Sequence, residues 1–301
     1  MLKFWLWLPV VPISLLTVQD TSVIRTIVDV VNVVCTVRDR TDNYRPDLTL
    51  EDFEVLEDGV PQLVDFFHRE FGTQAQPLSL ILLMDTSGSV KEKLSFEQQA
   101  ANEFLRSTLR INRDMAAIVQ FDSEVNLVQD FTYDYDTLET SIFDIRAGGA
   151  TKLYDAIWLS VEELLHHEVG RKMMVVLSDG DDTQSSMTDE EATRSAQNED
   201  VVIYGIGIKG SHFRTDFARL KRFARATGGM FFNPRADAER LRNVFQRINR
   251  EIKNQYSLGY VSSNNGRDGS FRKIEVRIKG RGRKGWKIRH REGYYAPHDE
   301  S

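Results

Sequence analysis

The run Leu78 to Met84, followed at once by Asp85-Thr86-Ser87-Gly88-Ser89 and then by a helical pattern, limits the possible folds more than any other stretch. Mostly apolar residues between Pro77 and a polar loop predict a strand buried on both faces, as in a parallel sheet covered by helices. The loop then stands at the strand's C-terminal end, the edge where open α/β sheets bind ligands. Its carboxylate and hydroxyl oxygens are hard donors that suit Mg²⁺ or Mn²⁺ better than Zn²⁺, which favours nitrogen and sulfur; Ca²⁺ ranks below the first two. One loop cannot fill an octahedral shell, so more oxygens must come from other strand ends.

Two stretches offer them. Gly148-Gly149-Ala150-Thr151 puts a hydroxyl on a glycine-rich loop before the helical pattern Lys152 to Glu168. Arg171 to Gly180 is a second buried-strand pattern, ending in Asp179 and a turn glycine. With Asp85, Ser87, Ser89, Thr151 and Asp179 in this order, the chain resembles the von Willebrand factor type A domain and its metal-ion-dependent adhesion site. The resemblance implies that Ser87 and Ser89 bind the ion directly and that Thr151 joins them when a ligand is engaged. Asp85 and Asp179 would act mostly through water and through hydrogen bonds to the hydroxyls. Ser178 departs from the threonine that the family often has before its last Asp-Gly. A plainer reading has the serines cap the following helix, which accounts for one serine but not for five oxygens. A cation held by hydroxyls, with its carboxylates set back, keeps a position open for a partner's Glu or Asp. The resemblance therefore implies metal-bridged protein binding.

From Pro77 to about Asn254, strand-like and helix-like segments alternate, which predicts a Rossmann-like α/β domain: a mostly parallel sheet with helices on both faces. Strands are expected at 78–84, 116–121, 173–178, 201–208 and 230–232. Helices are expected at 91–109, 137–145, 153–168, 188–198, 215–226 and 236–252. The flanks read as strands, at 24–38 and 53–67 before the domain, with turns at Asp39 to Asn43 and at Asp58-Gly59, and at 256–261, 272–279 and 286–295 after it. Neither flank has enough strands to bury a core alone, so both are expected to join in one β-sandwich with the α/β domain inserted. The resulting division is 1–19 signal peptide or anchor, 20–76 and 255–297 sandwich, 77–254 α/β domain, and 298–301 tail. Asp52 to Gly59 and Arg291 to Pro297 are similar to flanking signatures of bacterial, acidobacterial-type VWFA-related proteins.

Met1-Leu2-Lys3 followed by Phe4 to Val18 has the length and charge of an export signal, and Pro9 and Pro12 break it too early for an easy membrane span. A periplasmic, cell-surface or secreted protein is expected. Cys35 is the single cysteine, so no internal disulfide is available, and it shares a strand face with Val31, Val33 and Val37.

Asp122 and Asp182 are candidates to support the metal ligands by hydrogen bonds. Gly205-Ile206-Gly207-Ile208-Lys209-Gly210 matches a dinucleotide pattern, but it lies in a late strand with no acidic residue about 20 positions on, so nucleotide binding is not expected. Residues 254–301 carry 11 Lys and Arg against 5 Asp and Glu, whereas the rest carries 28 against 40. Lys273, Arg277, Lys279, Lys287, Arg289 and Arg291 alternate with apolar residues, and the alternative function is a polyanion-binding face on the last two strands. No H-E-x-x-H or G-x-S-x-G pattern is present, so a metal-dependent hydrolase ranks third and a non-enzymatic protein is expected.

Overall fold

The computed structural model describes residues 30–72, 75–209, 217–234, 237–280, 283 and 285–298, except for the side chain of Ser89. The expected leader, 1–19, lies outside the described residues, as does Gly210. Among the described residues no helix is long and apolar enough to cross a membrane.

Four strands come first: β1 (Val30–Arg38), β2 (Phe53–Glu57), β3 (Val60–Gln62) and β4 (Val64–Glu70). The central domain runs β5 (Leu78–Asp85), α1 (Leu94–Thr108), β6 (Met115–Phe121), β7 (Val125–Thr132), α2 (Tyr135–Asp144), α3 (Leu153–Leu159) and β8 (Arg171–Ser178). It continues through α4 (Asp189–Asn198), β9 (Val202–Gly207), α5 (Ala218–Ala226), β10 (Phe231–Phe232) and α6 (Ala238–Ile252). The chain then forms β11 (Gln255–Val261), β12 (Phe271–Ile278), β13 (Lys287–Arg289) and β14 (Gly293–Tyr295).

The central sheet has the order β10-β9-β8-β5-β6-β7 and is parallel except for β7. Every residue of β5 is buried because the pleat sends alternate side chains into two helix layers. Leu80, Leu82 and Met84 pack with α1, α2 and α6, while Ile81 and Leu83 pack with α3, α4 and α5. The α/β class with its mostly parallel sheet is as expected. β7 was not foreseen: it is a half-exposed antiparallel edge whose sequence has no clean apolar alternation. The first helix begins at Leu94, after a 3₁₀ turn at Gly88–Val90. The helix expected over 153–168 is α-helical only to Leu159; Ser160–Leu165 is π-helical, with the His166 N–H donating to Val161 carbonyl across five residues at 2.8 Å.

The flanks supply two four-stranded sheets, β13-β1-β11-β4 and β14-β12-β2-β3. Their facing side chains form one core, including Val33, Cys35, Phe53, Tyr256, Leu258 and Ile274. Cys35 packs there with Val31, Val33 and Val37, and burial pushes its thiol pKa up. The segment 53–67 divides at the expected Asp58-Gly59 turn and once more before Val64, giving three strands. Asp58 and Gly59, at φ 48° and 84°, turn β2 back into β3 as a two-residue hairpin loop, and β4 then crosses to the other sheet. The segment 286–295 also divides, with β13 pairing β1 and β14 pairing β12.

Buried charge fastens the sandwich to the end of α6. The Glu251 carboxylate, 1% exposed, accepts from Thr36 Oγ1 at 2.6 Å, Arg38 Nη2 at 2.5 Å and Tyr44 OH at 2.5 Å, and Arg289 Nε lies 3.4 Å away. Nearby, Arg171 of β8 donates to the Ile252 carbonyl at 3.0 Å and lies 3.4 Å from Glu70 of β4. Removing one partner of such a buried cluster leaves the others desolvated and unpaired. Glu251→Ala should therefore lower unfolding stability by about 3 kcal/mol, read as a fall in the urea midpoint; an unchanged midpoint would show that the junction contributes little.

Candidate metal centre

β5 pairs with β6 on one side and β8 on the other, so the chain order reverses direction across the β5/β8 boundary. In open α/β sheets the crevice at such a reversal receives ligands. Asp85 pairs with Phe121 across β6, and Met84 with Leu177 across β8, which sets Asp85 next to Ser178 and just before the Asp179 turn. Asp85, Ser87, Thr151 and Asp179 are each 5% exposed or less. The side chain of Ser89, the fifth expected residue, lies outside the described residues; its backbone belongs to the 3₁₀ turn.

Hydrogen bonds lace the loops together. The Asp85 carboxylate accepts from the Ser87 N–H at 2.9 Å and from Ser178 Oγ at 2.7 Å. Gly88 N–H donates to Gly149 carbonyl at 3.1 Å, and Gly148 N–H to Thr86 carbonyl at 2.6 Å, which ties the Thr151 loop to the Ser87 loop. The Thr151 carbonyl accepts from Thr183 N–H at 3.0 Å and Gln184 N–H at 3.1 Å, which ties it to the Asp179 loop. Gly149 has φ +100°, and a Cβ there would lie 2.7 Å from Ser123 Oγ, so the close approach of these loops requires glycine. Ser178, noted in the sequence only as a departure, holds Asp85 and accepts from the Gly180 N–H at 3.0 Å.

Burial pushes the Asp85 carboxyl up to about 6; hydrogen bonds from Ser87 oppose this, and the Asp179 charge adds to it. Glu97, on α1, is 1% exposed and is pushed up to about 8 by burial, with the Asp85 charge next and Lys93 opposing. Sequence reading did not single out Glu97. The signal was available, since it lies on the stripe of Leu94, Ala101, Phe104 and Leu105, which is the buried side of α1.

Two carboxylates held close in a dry edge, with hydroxyls beside them, make a donor set that fits a hard divalent cation. Among the described residues no three His, Cys, Asp or Glu side chains form a group able to hold a metal, so a cation here would depend on hydroxyl oxygens. Asp122 lies at the same edge and accepts from Thr86 Oγ1 at 3.2 Å. Asp182 is committed differently: it accepts from the Tyr154 N–H at 3.0 Å and Ser185 Oγ at 2.6 Å, holding the start of α3.

The six basic residues do not form one face. β12 and β13, the strands that carry most of them, lie in opposite sheets. Arg291 is 5% exposed and paired with Asp200 at 2.5 Å, Arg289 reaches Glu251, and Arg277 pairs with Glu275 at 2.7 Å. Lys287 lies 3.6 Å from Asp42, while Lys273 and Lys279 are exposed. The alternation along the sequence came from two different sheets. Gly205 and Gly207 serve packing: a Cβ at Gly207 would lie 2.6 Å from the Phe217 ring.

Residues 79–247 match the family model of the von Willebrand factor type A domain. A protein of Borreliella burgdorferi, described as uncharacterized, is 23% identical over 187 residues, which is 52% of this chain and 54% of the relative; the chain thus spans about half that relative's length. A von Willebrand factor type A protein from Catenulispora acidiphila superposes with a TM-score of 0.53 at 14% identity, over 83% of this chain and 74% of its own. Proximal thread matrix protein 1 of the mussel byssus superposes with a TM-score of 0.53 at 13% identity, over 71% and 51%. A form of that protein with a zinc-occupied MIDAS motif gives 0.51 at 14% identity, over 60% and 47%. At these identities the likeness is one of fold. Type A domains in general mediate protein–protein interactions and commonly bind a divalent metal at this edge. With more than half its length matched and the sheet order and loop edge described above, this chain belongs to the von Willebrand factor type A domain family.

Proposed function

We propose that this is an exported, non-enzymatic binding protein of the bacterial VWFA-related kind, which holds Mg²⁺ or Mn²⁺ at Asp85, Ser87, Ser89, Thr151 and Asp179. The observation that carries the reading is the lacing of the Ser87, Thr151 and Asp179 loops at the β5/β8 reversal, with Asp85 held under them by Ser87 and Ser178. The bound ion would supply an electrophilic position for an acidic side chain of a protein partner. Asp85 and Asp179 would compensate its charge, and Ser87, Ser89 and Thr151 would offer neutral oxygens that leave it electron-poor. The surrounding loops would select the partner. Export is supported by the single positive charge and short apolar run at the N-terminus.

The metal claim is tested by thermal melts of wild type and Asp179→Ala in EDTA and in Mg²⁺ or Mn²⁺. At 100 times its dissociation constant an ion adds about 2.7 kcal/mol, so wild type alone should gain several degrees; equal melting in EDTA and metal would refute the site. The gain should depend on pH. Carboxyls with raised folded values contribute stability that is present below their unfolded values and lost as pH rises through the folded ones. Without metal, Asp85 and Glu97 therefore favour the folded state at about pH 4 and lose that contribution towards about pH 6 and about pH 8 respectively. A cation competes with those protons, so the metal-dependent gain should grow from pH 5 to pH 8; a flat profile would contradict the ionisation scheme. Pull-downs from cell-envelope extract should recover a partner in Mg²⁺ and lose it in EDTA, and equal recovery would refute the metal bridge.

A further inference from the structure

Glu97 is a buried carboxylate near this edge that the metal-binding reading leaves without a task. Its helix leaves the Ser87 loop directly, and Glu97 faces inward on the first turn of α1, on the side where Leu94 and Ala101 pack with Met84 of β5. One of its oxygens, Oε1, is buried and has no hydrogen-bond partner. Burying a carboxylate unpaired is costly, and an apolar residue at this position would avoid the cost. Of the charges that act on it, Asp85 and Asp179 are negative and only Lys93 is positive, so the protein itself under-compensates the cluster. A cation at the proposed site would supply positive charge to this cluster. Among the described residues Glu97, Asp85 and Asp179 do not form a three-carboxylate group able to hold an ion, so Glu97 would act through its charge and not as the third of three carboxylate ligands.

We infer that Glu97 is a positioning residue of the metal site: through Asp85 and Asp179 and the water around the ion, its charge tightens the hold on a divalent cation. The inference rests on the metal-binding reading. Ionisation of Glu97 on metal uptake would add a third negative charge to those of Asp85 and Asp179 and would favour retention of the ion before any partner arrives.

The test is an Mn²⁺ titration of the full chain, with the free ion followed by its electron paramagnetic resonance signal, for wild type, Glu97→Gln and Glu97→Asp. Glu97→Gln keeps the size and removes the charge. It should bind Mn²⁺ about 10- to 100-fold more weakly, while its melting temperature in EDTA is no lower than that of wild type. Glu97→Asp keeps the charge and should retain most of the affinity. Wild-type affinity in Glu97→Gln would overturn the inference alone. So would an equal loss in Glu97→Asp, or a fall in the EDTA melt of Glu97→Gln, since either marks a packing role. A wild type that takes up no Mn²⁺ would overturn the metal-binding reading and this inference with it.

Discussion

Because β5 lies between β6 and β8, the two connections that leave its neighbourhood diverge, and a crevice opens over its C-terminal end. The rest of the candidate site depends on that order. Asp85 ends the central strand, Ser178 and Asp179 end the strand beside it, and Thr151 is brought in by the loop that precedes α3. Had β8 joined the other side of β6, Asp85 and Ser178 would not be neighbours and the bond of 2.7 Å between them could not form. The helices on both faces keep the strands dry, so the oxygens at the edge act in a medium where charge is weakly screened.

Dryness sets the chemistry. Asp85, with the Asp179 charge nearby, would be more stable in water than at this edge unless something positive compensates it. Hydroxyls soften the cost but do not remove it. The proposed divalent cation would compensate that charge, and the oxygen-only character of the set suits a hard ion. The inserted position adds a mechanical aspect. α6, which closes the domain, ends at Glu251 among side chains from β1 and the following loop, so the α/β domain and the sandwich share one buried cluster.

What could be read from the sequence follows the strength of each local signal. β5 and β8 were legible because fully buried parallel strands are nearly continuous in apolar residues. The placing of Asp85, Ser87, Thr151 and Asp179 at one sheet edge was legible because each follows such a strand or precedes a helix. β7 was not, since Val125–Thr132 is an edge strand with one half-exposed face. The alternation from Lys273 to Arg291 is real, yet a period of two says nothing about which sheet a strand enters, and the chain changes sheets between β12, β13 and β14. Arg291 shows the limit: its buried pairing with Asp200 is a contact 91 residues away in the chain. Glu97 was not singled out, although its place on the apolar stripe of α1 puts it on the core side.

One divalent ion is proposed at the C-terminal ends of β5 and β8. The most direct measurement is a crystal structure grown in Mn²⁺, with anomalous scattering recorded at the manganese edge. A single strong peak is expected within coordination distance of the Ser87 and Ser89 hydroxyls, with Asp85 and Asp179 close by. No peak at that edge under saturating Mn²⁺, or a peak elsewhere on the molecule, would contradict it.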